Sequence, residues 1–312
     1  MPNDVMHAIR VHEFGLPQQL KYEEVTRPEP GAGEVLVRVY AAGVNPIDCK
    51  FRKGLLPNLR TFELPYIPGS DIAGVVEQVG AGVEAFKVGD PVFGESLSGA
   101  YAEYATASID KLAPKPPGLS FDEAASIPVG ATTAWQGLFD HGELEPGQQV
   151  LVQGAAGGVG QLAVQLARWK GARVIGTASG GNLEFVRSLG ADTVIDYTTS
   201  SVDQVLSNID LVFDTIGGAT YEASLRTLRP GGTIISLVGQ PPEDEAAARG
   251  VRLVRMNART TGQLLRTVAD LFDQGALRVN VGQVFPLAEA PSAHEQSEHG
   301  HGRGRIVLHV AD

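Results

Sequence analysis

The sequence predicts an α/β protein in which a doubly wound parallel sheet is joined to a second, β-rich domain. In the first third of the 312-residue chain, short β-branched runs are closed by Gly, Pro or Asp. From about residue 148, apolar strands alternate with helical segments. Strands that are almost wholly apolar are typical of a parallel sheet that helices cover on both faces.

The β-rich part comes first along the chain. Its strand patterns lie at residues 33–41, 72–79, 91–93 and 100–106. A proline-rich connector, 111–118, follows. Ser120 and Glu123 then form a capping box, which predicts that a helix starts there. Pro128 should kink this helix or end its first part.

The second part reads as a series of βα units. Six strands are predicted, at 148–153, 172–178, 192–197, 210–217, 231–239 and 251–256. Helices are predicted at 159–170, 183–189, 221–228 and 260–274. The polar segment 241–250 is expected to be a surface loop. The last run, 304–310, is a strand without a βα partner, so we expect it to return to the first domain.

Composition and charge exclude several classes of function. The formal net charge of −11 repels nucleic acid and anionic membranes. No apolar run reaches the ~18 residues that a membrane span needs, and the N-terminus has no signal-peptide pattern. The single cysteine, Cys49, cannot form an internal disulfide, so a cytoplasmic location is expected.

The motif with the strongest functional meaning is a loop of small residues between the first βα strand and its helix. In QGAAGGVG, residues 153–160, Ala155, Gly157 and Gly160 occupy the three small positions of the G-x-G-x-x-G pattern. Gly157 lets the backbone approach a pyrophosphate, and Gly160 lets the helix pack closely on the sheet. Because the strand–turn–helix context is present, the loop predicts a Rossmann dinucleotide site; the alternative is a tight turn without a ligand.

The end of the second strand indicates which dinucleotide binds. NAD-binding folds usually carry a carboxylate about 20 residues beyond the loop, and here that stretch has none. Ser179 and Asn182 can donate hydrogen bonds to a 2′-phosphate, which favours NADPH, although such residues also serve ordinary turns. The turn holds no basic residue, so Arg303 and Arg305 are considered as further phosphate ligands.

With these motifs in order, the chain resembles the quinone oxidoreductase (zeta-crystallin-like) branch of the medium-chain dehydrogenase/reductases. The matching segments span the chain: GEVLVRVYAAGVNPIDCK, PGSDIAGVVEQVGAGVEAFKVGDPVFG, AAGGVG, SLGADTVIDY, DLVFDTIGG, LRPGGTIISLVG and HGRGRIVLHV. The resemblance implies a GroES-like substrate domain, 1–122 completed by 280–312, and a Rossmann NADP-binding domain, 123–279. It also implies an active site in the cleft between them and a homodimer.

The resemblance assigns roles to single residues. Thr132 matches a position that orients the nicotinamide, Tyr197 matches a residue beside the adenosine phosphate, and Val238 is a further cofactor-binding candidate. Gly157, Gly158 and Val159 match the pyrophosphate loop. Asn182 stands where relatives often carry a phosphate-binding lysine, and this departure bears on how strictly NADPH is preferred.

Candidate catalytic residues lie in GVNPIDCK. Asn45 matches a cleft residue, and Asp48 and Lys50 are its neighbours. The alternative is a simple turn at Asn45 with a surface pair at Asp48 and Lys50. Tyr66 joins Asp48 and Lys50 as a candidate proton donor, and the sequence does not choose among the three.

The residues predict no metal site. Zinc alcohol dehydrogenases of this superfamily carry Cys where Asn45 stands and a His–Glu pair where Ser70 and Asp71 stand, and one cysteine cannot build a structural zinc lobe. His294, His299 and His301 are interpreted as solvated histidines in a polar, glycine-rich tail.

The predicted function is a zinc-independent reductase that transfers hydride from NADPH to a quinone or an α,β-unsaturated carbonyl compound. Such acceptors need no Lewis acid, because hydrogen bonds can stabilise the charge that develops on oxygen. The alternative is an NADPH-binding redox sensor or structural protein with little turnover. A metal-dependent alcohol dehydrogenase is the third possibility.

Overall fold

The computed structural model describes residues 5–59, 61–239, 243–300 and 302–312. Within these ranges the strands are β1 (Val5–Val11), β2 (Leu20–Thr26), β3 (Glu34–Val44), β4 (Asp71–Val79), β5 (Pro91–Glu95), β6 (Tyr104–Ser108), β7 (Leu112–Pro114), β8 (Gln149–Gln153), β9 (Arg173–Ala178), β10 (Thr193–Asp196), β11 (Ile209–Asp214), β12 (Leu228–Ser236), β13 (Arg252–Arg255), β14 (Val281–Pro286) and β15 (Arg305–His309). The helices are α1 (Pro46–Arg52), α2 (Phe121–Ala125), α3 (Pro128–Trp135), α4 (Gly160–Trp169), α5 (Leu183–Ser188), α6 (Val202–Val205), α7 (Ala219–Thr227), α8 (Glu243–Ala248), α9 (Gly262–Asp273) and α10 (Ala290–His299). No helix in these ranges is both long and apolar enough to cross a membrane.

The chain divides into two compact units. The first comprises the residues up to Val129 together with 260–275 and 279–312, and the second comprises 130–259 and 276–278. Helix α9 therefore groups with the first unit, whereas the sequence analysis assigned its residues to the Rossmann domain. The functional boundaries at 122/123 and 279/280 stay a prediction.

The second unit is built on the predicted doubly wound sheet. All six strands are parallel and run in the order β10-β9-β8-β11-β12-β13. The strand order reverses between β8 and β11, and the carboxyl ends of strands at such a reversal form the crevice in which doubly wound sheets bind ligands. The small-residue loop follows β8 directly, so the fold puts it at that crevice.

The first unit contains the predicted β-rich domain. Its seven-stranded sheet follows the order β14-β15-β3-β4-β5-β7, with β6 paired to β3. Strand β15 pairs antiparallel with β3, which confirms that the end of the chain returns to this domain. The capping box at Ser120 starts α2, and a new helix starts at Pro128, as predicted.

Four segments without a predicted helix are helical, the shortest being α6. Pro46, expected in a turn, is the first residue of α1, a position where its missing N–H and fixed φ are tolerated. The segment 243–248 is helix α8 rather than a loop. Three acidic residues at its N-terminus interact favourably with the helix dipole, and the alanines that follow have a high helix propensity. Residues 290–299, expected as an irregular tail, form α10.

Candidate active site

The loop between β8 and α4 has the backbone that a pyrophosphate site needs. Gly154 has φ of +68°, and the Gly157 N–H donates to its carbonyl at 3.0 Å. A Cβ added at Gly160 would lie 2.2 Å from the Gly154 oxygen, so only glycine fits there. A Cβ added at Gly157 would meet only that oxygen, at 3.3 Å, among the described residues. Apart from this one tight contact, the space beside Gly157 is open among the described residues.

Neighbouring strands hold this loop in position. The Ala155 N–H donates to the Thr177 carbonyl at 3.0 Å, and the Gly154 N–H donates to Thr177 Oγ1 at 3.1 Å. Thr215, the residue that follows β11, donates from its Oγ1 to the Gln153 carbonyl at 2.8 Å. The loop is thus tied to the ends of both strands that flank β8.

The other sequence candidates of the second unit also lie at the carboxyl ends of its strands. Ser179 and Asn182 begin and end a tight turn after β9, and Asn182 Nδ2 donates to Ser179 Oγ at 3.3 Å. Tyr197 follows β10, and its N–H donates to the carbonyl of Ala178 at 3.2 Å. Val238 follows β12, with its carbonyl 3.0 Å from a Cβ added at Gly217. The cofactor-binding candidates of this unit therefore all follow the carboxyl ends of its strands: Ala155, Gly157, Gly158, Val159, Gly160, Ser179, Asn182, Tyr197 and Val238.

Two buried polar atoms in this unit have no partner within the described ranges. Thr132 is fully buried in α3, and its Oγ1 makes no hydrogen bond there. Asp214, at the carboxyl end of β11, accepts from the Ile216 and Gly217 N–H groups through Oδ1, whereas its buried Oδ2 has no donor. Sequence analysis missed Asp214. Together with the open cradle at Gly157, these atoms fit a polar ligand such as a dinucleotide.

In the first unit, a buried ion pair organises the catalytic candidates. Arg305 is 4% exposed, and its Nη2 lies 3.0 Å from Asp71 Oδ2 and donates to Asn45 Oδ1. Asn45 Nδ2 also donates to Asp71 Oδ2, at 3.1 Å, and Asp71 accepts from the Val129 N–H. Burial raises the pKa of Asp71, and Arg305 opposes that rise. The predicted contact of Arg305 with a cofactor phosphate is therefore not supported, because its guanidinium is committed to this pair.

Asp48 begins a second buried chain of hydrogen bonds. Its Oδ2 accepts from the Asn45 N–H at 2.9 Å and from the Tyr101 hydroxyl at 3.2 Å. Burial raises the pKa of Asp48 to about 6, although both hydrogen bonds act against the rise. The Tyr101 oxygen also lies 3.0 Å from His294 Nε2. Because Tyr101 has one proton and donates it to Asp48, His294 is assigned as the donor to Tyr101.

His294 corrects the interpretation of the C-terminal histidines. The sequence analysis treated it as solvated, but it is fully buried on α10, and burial lowers its pKa to about 3. It is therefore a neutral, structural imidazole. His299 is exposed at the end of α10, and His301 lies outside the described residues.

Asp48 also lines a pocket that lies within the first unit. Three aromatic residues share the lining, and Phe62 stacks on Tyr66 with ring centres 4.1 Å apart while Phe51 meets Phe62 edge-on. Only about 20 Å³ of the pocket is accessible to a water-sized molecule, and the wider space of about 300 Å³ around it includes open solvent. Lys50 is half-buried outside this lining, so Asp48 and Tyr66 are the proton-donor candidates that the fold brings together.

No group of three His, Cys, Asp or Glu residues in the described part of the chain could hold a metal ion.

Arg303, the other arginine considered as a phosphate ligand, is exposed two residues before β15.

Comparison with known proteins gives the family. Residues 31–117 match the alcohol dehydrogenase GroES-like domain, and residues 189–308 match a family described as zinc-binding dehydrogenase. The mouse quinone oxidoreductase is 35% identical over 97% of this chain and 98% of its own length. The chain belongs to the quinone oxidoreductase branch of the medium-chain dehydrogenase/reductases. The predicted resemblance is thereby confirmed, and the protein is an oxidoreductase.

Further relatives agree with this assignment. An Arabidopsis thaliana NADPH-dependent alkenal/one oxidoreductase is 34% identical over 97% of the chain and 79% of its own length. The quinone oxidoreductase of Coxiella burnetii superposes with a TM-score of 0.90 at 35% identity, covering 98% and 99% of the two chains. A mycobacterial protein solved in complex with NADPH superposes with a TM-score of 0.89 at 35% identity, covering 97% and 99%.

Proposed function

We propose that this oxidoreductase uses NADPH to reduce a quinone or an α,β-unsaturated carbonyl compound. The observation that carries the proposal is the open cradle at Gly157, next to a β9 turn that contains hydroxyl and amide groups but no carboxylate. Relatives named for quinone and for alkenal/one reduction support the acceptor class.

For the cofactor, we assign the pyrophosphate to the N-terminal turn of α4. Gly158 and Val159 precede that helix, and the positive end of the helix dipole at its N-terminus attracts anions. Ser179 and Asn182 would donate to a 2′-phosphate. NADPH, when bound, supplies a hydride; Thr132 Oγ1, buried without a partner among the described residues, is our candidate for orienting its nicotinamide.

For the acceptor, we assign the solvent-open depression that Asp48 and its aromatic neighbours line. Its aromatic wall of Phe51, Phe62 and Tyr66 suits a flat, conjugated molecule. Once the acceptor has received a hydride, it needs one proton to become a neutral carbonyl or hydroquinone. We propose that Asp48 donates this proton, since its pKa of about 6 keeps a protonated fraction near neutral pH.

We further propose that turnover needs no zinc. At the positions where zinc relatives carry ligands, Asn45 and Asp71 here contact the Arg305 guanidinium, so this chain's own cation balances the buried carboxylate. That arrangement leaves no Cys or His donors at these positions, and carboxylate and amide oxygens alone are unusual zinc ligands.

The proposal is tested with purified protein, NADPH and a panel containing 1,4-benzoquinone and short alkenones. We expect NADPH oxidation above the nonenzymatic rate, unchanged after treatment with a chelator, and less than one zinc per ten chains by elemental analysis. Binding of NADPH without turnover on any acceptor would instead favour the sensor function. Activity lost to the chelator and restored by zinc would overturn the metal-free mechanism.

The role of Asp48 is tested by its pH profile. In the parent we expect kcat to fall as pH rises through about 6, because the protonated carboxyl is the active form. Asp48→Asn should lower kcat on the order of a hundredfold and remove that pH dependence. Lys50→Met, which changes a neighbour on the same helix outside the pocket lining, is the matched control. An Asp48→Asn profile that still falls near pH 6 would assign the proton to another group.

A further inference from the structure

A carboxylate of the third strand stands beside the turn that is expected to meet the cofactor's adenosine ribose. Asp196 is the last residue of β10 and pairs in register with Ala178, the last residue of β9. The turn of Ser179 to Asn182 begins one residue later. The usual pattern of NAD-binding folds has its carboxylate on the second strand, so it does not point to Asp196 on the third.

The two oxygens of Asp196 face different surroundings. Oδ1 accepts from the Thr198 N–H at 3.0 Å and from Thr198 Oγ1 at 2.7 Å, which fixes the rotamer. Oδ2 is directed at the turn: a Cβ added at Gly180 would lie 3.1 Å from it. The turn itself, residues 179–182, contains no Lys or Arg that could neutralise this charge.

We propose that Asp196 is a specificity-determining residue for the cofactor and that it admits NADH alongside NADPH. In NAD-binding folds a carboxylate at the end of the second strand accepts a hydrogen bond from the ribose 2′-OH. Asp196 would accept the same hydrogen bond from the end of the third strand. A 2′-phosphate would meet the same oxygen as a like charge. Ser179 and Asn182 favour the phosphate while Asp196 opposes it, so the two cofactors bind within about tenfold of each other.

A purely structural role for Asp196 makes a different prediction. If the side chain only closes the turn through Thr198, its replacement by Asn, which keeps an acceptor oxygen for Oδ1, would leave cofactor choice unchanged. If Oδ2 accepts a hydrogen bond from the ribose 2′-OH, the same replacement removes the negative charge of Asp196 and offers a 2′-phosphate an amide donor. Hydrogen bonds to charged groups are worth about 1.5–3 kcal/mol, which corresponds to roughly a tenfold to hundredfold change in binding.

The experiment measures Kd for NADPH and NADH separately, by fluorescence titration at fixed ionic strength, so that it does not depend on turnover. We expect Asp196→Asn to raise the preference for NADPH at least tenfold, mainly by tightening NADPH. Glu145→Gln is the control: it removes an exposed carboxylate of the same unit that precedes β8, at the opposite end of the strands. It should leave both constants within twofold of the parent.

The inference rests on the proposed function, in that it takes the turn after β9 as the ribose site, but its failure is distinguishable. An unchanged preference in a folded Asp196→Asn, or a shift no larger than in Glu145→Gln, overturns the role of Asp196 even if quinone reduction is observed. A shifted preference without turnover on any acceptor supports Asp196 and overturns the reductase proposal. Should Asp196→Asn lose its thermal transition, Asp196→Ser gives the same comparison. A parent that binds neither cofactor overturns both.

Discussion

At the scale of single residues, two glycines of one loop should respond differently to the same substitution. Gly157→Val puts a side chain above the loop, where we assign the pyrophosphate, with one tight contact of 3.3 Å between its Cβ and the Gly154 oxygen. We expect affinity for NADPH to fall at least a hundredfold, with a much smaller fall in Tm than for Gly160→Val. Gly160→Val drives its Cβ to 2.2 Å from the Gly154 oxygen, so the loop and α4 must move. That variant should unfold at a clearly lower temperature.

Fluorescence titration and thermal unfolding of both variants separate binding from folding. Wild-type affinity in Gly157→Val would mean that the phosphates lie elsewhere. A low Tm in Gly157→Val would mean that the loop tolerates no side chain at all, and the loss of binding would then say nothing about the ligand.

Residues differ in how far the sequence could reveal their roles. The loop at Gly157 and Gly160 was predictable because its constraint is local: a strand, a tight turn and a helix start within eight positions. Asp196 was not, because its place beside Gly180 depends on strand pairing between β9 and β10. The burial of His294 was not predictable either, because most of its neighbours on α10 are polar and give no sequence sign of the face that contacts Tyr101.

At the scale of elements, α1 explains why Asp48 is a buried acid rather than half of a surface pair. The helix begins after Asn45, and its third residue, Asp48, turns back to accept the Asn45 N–H. The Asn45 side chain is used elsewhere, on Asp71 and Arg305. The short helix thus links the two buried networks.

Burial of Asp48 should make stability depend on pH. Its pKa is raised from 3.8 to about 6 in the folded chain, so the unfolded chain loses this proton first as pH rises. The contribution is fully present below pH 3.8 and is lost as pH rises to about 6, by about 3 kcal/mol at most.

Urea unfolding of the parent and of Asp48→Asn between pH 4 and 7 checks this expectation. The asparagine keeps an acceptor for Asn45 and Tyr101 but cannot ionise. The free energy of unfolding of the parent should therefore fall relative to the variant across this range, most of it before pH 6. A parent that gains stability relative to the variant would indicate that the folded state favours the ionised carboxylate.

Element prediction succeeded where hydrophobic periodicity was strong. The six strands of the parallel sheet and helices α4, α5 and α7 follow the apolar runs that the sequence displays. Of the helices that were not predicted, α8 and α10 are polar on most faces, so no periodic apolar stripe marks them. In α8 the acidic residues that precede the alanines are the local signal for a helix N-terminus.

At the scale of the whole molecule, both ends of the chain build the first unit, and the middle builds the second. The sequence predicts that the final strand leaves the βα series, but the partner of that strand, β3, is fixed only by packing. The same holds for Arg305, which β15 carries to Asp71, more than two hundred residues away along the chain. Pairings over such separations cannot be deduced from local pattern.

The family resemblance predicts a homodimer, and the sheet of the second unit offers a surface for it. In the described sheet, β10 and β13 are the outermost strands, and each has an outer row of backbone groups without a strand partner. On β13, Arg255 pairs with Glu243 at 3.2 Å and Arg252 approaches Glu143 at 3.7 Å. Because neighbouring carboxylates neutralise both arginines, this edge carries little charge that would repel a second copy.

We therefore expect two copies to pair through β13 and to sediment with twice the 32.9 kDa mass of one chain. Val254→Pro removes a backbone donor from this edge strand and should yield monomers. Val194→Pro makes the same change in β10, at the other edge, and should leave the dimer intact, so the pair separates loss of the interface from general damage to the sheet. Equal behaviour of the two variants, or a monomeric parent, would rule out pairing through β13.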